Sequence, residues 1–254
     1  MLNKFEITQS KIHLFEKCGK AFEFRYLQDW KVAPQAALTV GRSVDDGITH
    51  NLQQKIQTKK DVSKEEVVEA TLSTFNRESI ETDWQGEDPG AQKDIAVKLV
   101  SAHHEKLAPL INPKAVQLKL QVDLPEYTLA GTLDLVEQDD TLADSKTSKT
   151  MYDENAVAWN LQPAVYTYLY EKNYGIKAPG FRYDVMVKPT KTIGARTQVV
   201  SGVVSEKQKT VALLRADSLN RAVQSGNFHY APDNSWYCSE KWCGFWSMCD
   251  RGGK

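Results

Sequence analysis

Three side chains in "GTLDLVEQDDTLADSKTSK" (131–149) have the types and spacing to do chemistry: Asp134, Asp144 and Lys146. Successive side chains alternate faces along a strand, so Asp144 and Lys146, two apart, share a face. Asp134 lies on the preceding strand. A turn at Asp139 and Asp140 brings it close to the level of Asp144. Two carboxylates held a few ångströms apart repel unless something positive lies between them. A hard divalent cation such as Mg²⁺ or Mn²⁺ fits, because it takes oxygen ligands and keeps several waters. Such a cation polarises a phosphoryl oxygen and acidifies a bound water. The ammonium of Lys146 would position that water or stabilise charge on the phosphate. For D-x-K alone, a polar surface strand with an incidental ion pair is the plain alternative.

The four cysteines form a second constellation. "YCSEKWCGFWSMCD" (237–250) holds Cys238, Cys243 and Cys249, while Cys18 stands far away in "FEKCGKAFEFRY". The N-terminal residues carry no apolar export segment and no run is long enough to span a membrane, so a cytoplasmic protein is expected. A disulfide framework is out of place there. C-x4-C-x5-C with one remote partner suits zinc or an iron–sulfur site. Four unrelated buried thiols remain the alternative.

The elements that must position these residues show in the periodicity. Segment 10–30 reads as a helix capped by Ser10, followed by helices over 40–57, 64–76 and 91–110. The period then changes to two. Val116, Leu118, Leu120, Val122 and Leu124 alternate along a first strand (115–124), and strands follow over 127–137 and 141–148. A helix around 160–173, strands over 181–188 and 196–205, and a helix over 206–225 complete the order. Pro163 is easiest in a first helical turn, which starts the 160–173 helix near Asn160. The pattern describes a mixed α/β domain with a central sheet flanked by helices. The 254 residues carry 41% apolar and 26% charged side chains and a net charge of −1. That excludes a polycation, so any nucleic-acid contact needs a local patch.

"GTLDLV…LADSKTSK" resembles the G-x-x-D…D-x-K core of the PD-(D/E)XK nuclease superfamily. More narrowly, the chain is similar to the RecB-like branch containing Cas4 and the AddB nuclease domain. That branch carries Q-x-x-x-Y on the following helix, and "NLQPAVYTYLYEK" supplies Gln162 and Tyr166, which share a helical face. It also carries a cysteine in an early helix and three clustered cysteines at its end. All five elements occur here in order, over about residues 10 to 250. The resemblance implies a restriction-endonuclease-like fold in one domain, 1–254, with a helical region (10–110), a nuclease core (111–205) and a C-terminal helix and cysteine-rich tail (206–254). It implies Asp134 and Asp144 as metal ligands, with the Ser145 carbonyl as an extra one. Lys146 would be catalytic, and Gln162 and Tyr166 would orient the lysine or the nucleic acid. A [4Fe–4S] cluster on Cys18, Cys238, Cys243 and Cys249 would join the two ends, with structural Zn²⁺ as the rival. Trp236, Trp242, Phe245 and Trp246 would shield it.

The sequence also departs from the pattern. The family's G-x-x-x-H becomes "GRSVDDG" (41–47), which puts Asp45 in place of histidine. Asp45 could ligate through oxygen; His50, five residues on, cannot take the same helical position. Gln117 stands where a glutamate is common and is no obvious ligand. Lys188, Lys191 and Arg196 in one loop, or Lys11, Lys17, Lys20 and Arg25 on the first helix, could touch phosphates. The function implied is a Mg²⁺- or Mn²⁺-dependent deoxyribonuclease, an exonuclease or a single-strand-preferring enzyme, of bacterial, archaeal or phage origin. It would act on single strands or duplex ends. No phosphate-binding motor motif occurs, so a helicase, a recombination protein or a CRISPR-adaptation protein would be a separate partner. The competing reading is a non-catalytic iron–sulfur subunit with a vestigial site.

Overall fold

The expected meander forms one side of a six-stranded mixed sheet. The computed structural model describes residues 4–252; residues 1–3 and 253–254, at the ends of the expected domain, lie outside them. Strands β2 (Pro113–Asp123), β3 (Tyr127–Glu137) and β4 (Leu142–Ser148) pair antiparallel in sequence. Next come β5 (Phe181–Val187), parallel to β4, and β6 (Arg196–Gly202), antiparallel to β5. One strand gave no sequence signal: β1 (Phe5–Thr8) pairs parallel with β3, and four residues are too few for a period to register.

The sheet has a gap where it matters. β2 runs along one edge of β3, so β1 and β4 must share the other. β1 covers Tyr127–Ala130 and β4 covers Leu135–Val136. Gly131–Asp134 is left between them with no strand partner on that edge.

Helices α3 (Ala36–Thr58), α4 (Lys64–Glu78) and α5 (Pro89–Lys106) cover one face. Val40, Val44, Ile48 and Leu52, spaced one turn apart, bury against Leu135, Ala143 and Met186 of the sheet. The other face carries α1 (Gln9–Lys17), α6 (Ala156–Trp159), α7 (Leu161–Tyr174) and α8 (Glu206–Ser225). α7 follows an Asn160 N-cap with Pro163 in its first turn, as the sequence suggested.

Two expectations are corrected. The helix over 10–30 is not continuous, and its N-cap is Thr8, which accepts from the Lys11 N–H, rather than Ser10. Cys18 is extended (φ −165°, ψ 111°), and its Sγ accepts from the Ala21 N–H at 3.4 Å. It thereby caps α2 (Gly19–Phe22), which runs on as a π-turn, Glu23–Leu27. The common face expected for Val116 to Leu124 also breaks. Val116 packs with the α3–α5 layer, whereas Leu118, Leu120, Val122 and Leu124 pack on the other side. The switch falls at Gln117, whose backbone is left-handed (φ 51°).

The helical layer contains one titratable group that should shape acid stability. His103 of α5 is 1% exposed, and its Nε2 has no partner among the described residues. Burial, reinforced by His104 and Arg182, drives its pKa down to about 3, so the folded imidazole is neutral. Unfolded, it titrates near 6.5, so below that pH the unfolded chain binds more protons. The stability it contributes is whole above about pH 6.5 and is lost at about 1.4 kcal/mol per pH unit as pH falls toward the folded value. Urea midpoints across that range should show this slope, and His103→Leu should flatten it. An unchanged slope in the variant would assign the acid sensitivity elsewhere.

Candidate active site

The gap in the β3 edge is where the acidic residues meet. Asp144 of β4 is 1% exposed. Its Oδ1 accepts from Gln162 Nε2 at 2.7 Å, and its Oδ2 pairs with the Lys146 ammonium. Asp134 of β3 accepts the Ser145 N–H at 3.1 Å. In an antiparallel ladder the N–H and C=O of one residue face the same neighbour, so the Ser145 carbonyl also faces the Asp134 side. Asp45, from α3, lines the same groove of about 370 Å³. The next residue, Asp46, turns the other way and accepts from Thr74 of α4.

α7 reaches the groove because of a glycine. A Cβ on Gly131 would lie 2.8 Å from Tyr166 Cε1 and 3.2 Å from Leu169 Cδ1. Its absence lets the Tyr166 ring rest on the β3 backbone, one turn from Gln162. The glycine of G-x-x-D thus works as a seat for the helix that touches Asp144.

Crowding sets the electrostatics. Burial raises the carboxyl pKa of Asp45 to about 6, helped by Asp144. Burial, with Asp144 and Asp45, raises Asp134 well above the ordinary range, and burial also raises Asp144 despite Lys146. Burial opposes the Lys146 charge, but Asp144 and Asp134 outweigh it and raise its pKa. Three carboxyls therefore share one ammonium in a place that penalises their charge. Among the described residues, no three His, Cys, Asp or Glu side chains are grouped tightly enough to cage an ion unaided. The donor set still suits one. It is all oxygen, hard, and short of positive charge.

Sequence reasoning passed over Gln117. Its Nε2 donates to Asp45 at 3.4 Å and to Thr49 at 3.2 Å, so it braces the α3 carboxylate from β2. Its strand position was a signal; its left-handed backbone was not readable. His50 lines no part of this groove and instead lies within electrostatic reach of Glu66. Of the candidate phosphate contacts, Lys188 is half-buried, while Lys191 and Arg196 are exposed. Along the segment expected as one first helix, Lys11 and Lys20 are engaged by Glu6 and Glu23, and Lys17 and Arg25 lie over Tyr237 and Phe245.

The four cysteines converge, although Cys18 lies far from the rest in sequence. Cys18, Cys238, Cys243 and Cys249 line one cavity together with Phe24 and Phe245. Burial raises the Cys243 pKa, with Cys18, Cys238 and Cys249 adding to it. Four thiols lining one apolar cavity are the donor type that zinc or an iron–sulfur cluster takes, although no three of them are grouped tightly enough here to cage an ion. The expected aromatic shield is only half right. Phe245 is buried and Trp246 lines the cavity, but Trp236 and Trp242 are 71% and 44% exposed.

The comparisons agree with this architecture. A family model of the PD-(D/E)XK nuclease superfamily matches residues 6–250. No curated protein matches in sequence. A crystal structure from Eubacterium rectale, provisionally described as an exonuclease, is similar in fold. It has a TM-score of 0.63 and 16% identity over 96% of this chain and 86% of that one. The structure of SSO0001 overlaps 94% of each chain at 13% identity, with a TM-score of 0.38 that is too low to inform the site. Among the described residues no helix is long and apolar enough to cross a membrane. Matched from its first strand to beyond its last cysteine, the chain belongs to the PD-(D/E)XK nuclease superfamily.

Proposed function

We propose that this nuclease is a metal-dependent deoxyribonuclease of the RecB-like, Cas4-like kind, hydrolysing phosphodiesters of single strands or duplex ends. The observation that carries the reading is the desolvated groove in which Asp45, Asp134 and Asp144 share one ammonium. Those carboxylates and the Ser145 carbonyl would hold Mg²⁺ or Mn²⁺, which supplies Lewis acidity toward the phosphate and a more acidic water. The chain's own residues do the rest. Lys146 holds a positive charge beside the place where the phosphate gains negative charge. Gln162 fixes the Asp144 carboxylate, and Tyr166 seats its helix against the β3 backbone at Gly131. The cysteine cavity would hold a [4Fe–4S] cluster in this reading, with zinc as the rival. A separate helicase, recombination or CRISPR-adaptation protein would supply the substrate end.

The decisive experiment uses 5′- and 3′-labelled single and double strands with Mn²⁺, Mg²⁺ or chelator. Cleavage that needs the metal and is confined to DNA supports the reading. Cleavage in full chelator, or none with any metal, would sink it. Within that assay, Asp45→Ala should lose most activity, and Asp45→His should retain part of it with Mn²⁺. Full activity in the alanine variant would show that the groove works without an α3 ligand.

A further inference from the structure

The candidate catalytic groove does not end at Lys146. A cavity of about 620 Å³ adjoins it, with Ala37 of α3 lining both. β4 and β5 lead from one to the other. Ser145, Lys146, Thr147 and Met186 line the first, while Lys149 and Lys188 line the second. Lys149 lies roughly 10 Å beyond Lys146 at an extended rise of about 3.3 Å per residue.

The far wall comes from the cysteine-rich tail, which is fixed in place. A Cβ on Gly244 would lie 2.2 Å from Val32 Cγ1, so only glycine lets the tail lie this close. Gln85 Nε2 donates to the Lys241 carbonyl at 3.4 Å. Trp242 stands at this wall, 44% exposed, and Trp84 faces the same cavity with Phe75 behind it. Lys188 is half-buried and forms no ion pair among the described residues, with Glu87 of the same cavity the carboxylate that acts on it. Lys149, Lys188 and Lys241 outnumber Asp83 and Glu87, and Asp83 already accepts from Gln85.

We propose that this second cavity binds an unpaired strand of nucleic acid running on from the candidate catalytic groove, with Trp242 and Trp84 stacking on bases and Lys149 and Lys188 meeting phosphates. Tryptophan faces can reach bases only where they are unstacked from a complementary strand, which points to single-stranded rather than duplex nucleic acid. The tail that carries three cysteines then also shapes the substrate path. This rests on the nuclease reading of the adjoining carboxylates.

Binding of a labelled oligothymidylate, measured by anisotropy in chelator so that nothing is cut, tests the proposal. Trp242→Leu should weaken binding about 5- to 150-fold, the range of one lost base stack. Trp242→Phe should restore most of it, and affinity for blunt duplex should change far less. Lys188→Gln should lower the salt dependence of single-strand binding by about 0.7 in the log–log slope, one phosphate's share. Native affinity in both Trp242→Leu and Lys188→Gln would overturn the proposal, as would an equal loss on duplex. Lys188 lies outside the tail, so its variant tests the path even where a tail substitution disturbs folding. Asp144→Asn separates the two readings. Native cleavage by that variant would strike the nuclease site and leave the strand-binding result to stand by itself.

Discussion

Asp144→Asn is expected to lower cleavage by about 10³-fold or more, while the metal-free protein becomes no less stable. Holding and polarising a phosphate through a bound cation is worth several kcal/mol, and Asn offers the cation no charge. The stability expectation follows from burial. Asp144 is 1% exposed and shares its surroundings with Asp134 and Asp45, so its charge is costly in the folded chain. Asn keeps the acceptor that Gln162 uses at 2.7 Å and removes the charge. Lys146→Ala should cut activity as severely but shift stability the other way, because it leaves the Asp144 carboxylate buried without its cation. Opposite signs in urea midpoint with the same sign in rate separate chemistry from folding. DNA binding should persist in both variants. Either one cleaving at the native rate, free of contaminating nuclease, would refute the assignment.

The second large effect concerns the four cysteines. Under the proposed cluster the protein is brown with broad visible absorption, and replacing Cys243 or Cys249 by Ser is expected to bleach it. The same replacement should also open the tail to protease. Cys18 and Cys238 bracket most of the chain, and a covalent clip across so long a loop is worth roughly 5 kcal/mol by chain entropy. Contacts of Phe24, Ala231 and Phe245 survive the substitution, so that figure is an upper one. Activity should fall through loss of folded protein, with the Mn²⁺ dependence of the surviving fraction unchanged. A colourless anaerobic preparation holding one zinc would replace the cluster by an ion and leave the clip. A variant without any of the four cysteines that resists protease and cuts like the native protein would remove both.

Most of the sheet was legible in the sequence because its strands are long or lie between clear turns. The meander, β5 and β6 follow from alternation, and the level of Asp134 with Asp144 follows from a two-residue period and one turn. What was not legible has local causes. β1 is too short to carry a period. The break at Cys18 arises because the side chain caps a new helix, which no apolar pattern announces. At Gln117 the alternation continues on paper while the backbone turns left-handed, so Val116 joins the opposite layer. A shield of tail tryptophans follows only from the cluster that the resemblance implies, with ordinary core packing as the alternative. Two face outward, because the small cysteine cavity is already lined by Phe24, Phe245 and Trp246. Convergence of Cys18 with the tail was implied only by resemblance, since no spacing in one sequence brings its ends together.

The way the flanks wrap has a consequence for opening motions. β1 meets the sheet through four residue pairs, on the edge of β3 that β4 leaves uncovered. Strands β2 to β6 and α3 to α7 form a contiguous stretch that contains all three carboxylates, Lys146, Gln162 and Tyr166. The segments before α3 and after β6 reach toward each other over one side, where Lys20 N–H bonds to the His229 carbonyl and the cysteines meet. The molecule is thus divided into a reaction body and a belt whose two halves are buckled to each other. β1, α1 and α8 of that belt also place Ile7, Ile12, Ala216 and Leu219 in the main core, so the tail beyond α8 should open before the rest of it. Because Trp242 rides on that tail, its opening would, under the strand-binding proposal, weaken the hold on an unpaired strand while the carboxylates stay in register. Under the proposed cluster and strand path, an occupied buckle would then govern how long a strand is retained rather than how fast each bond is cut.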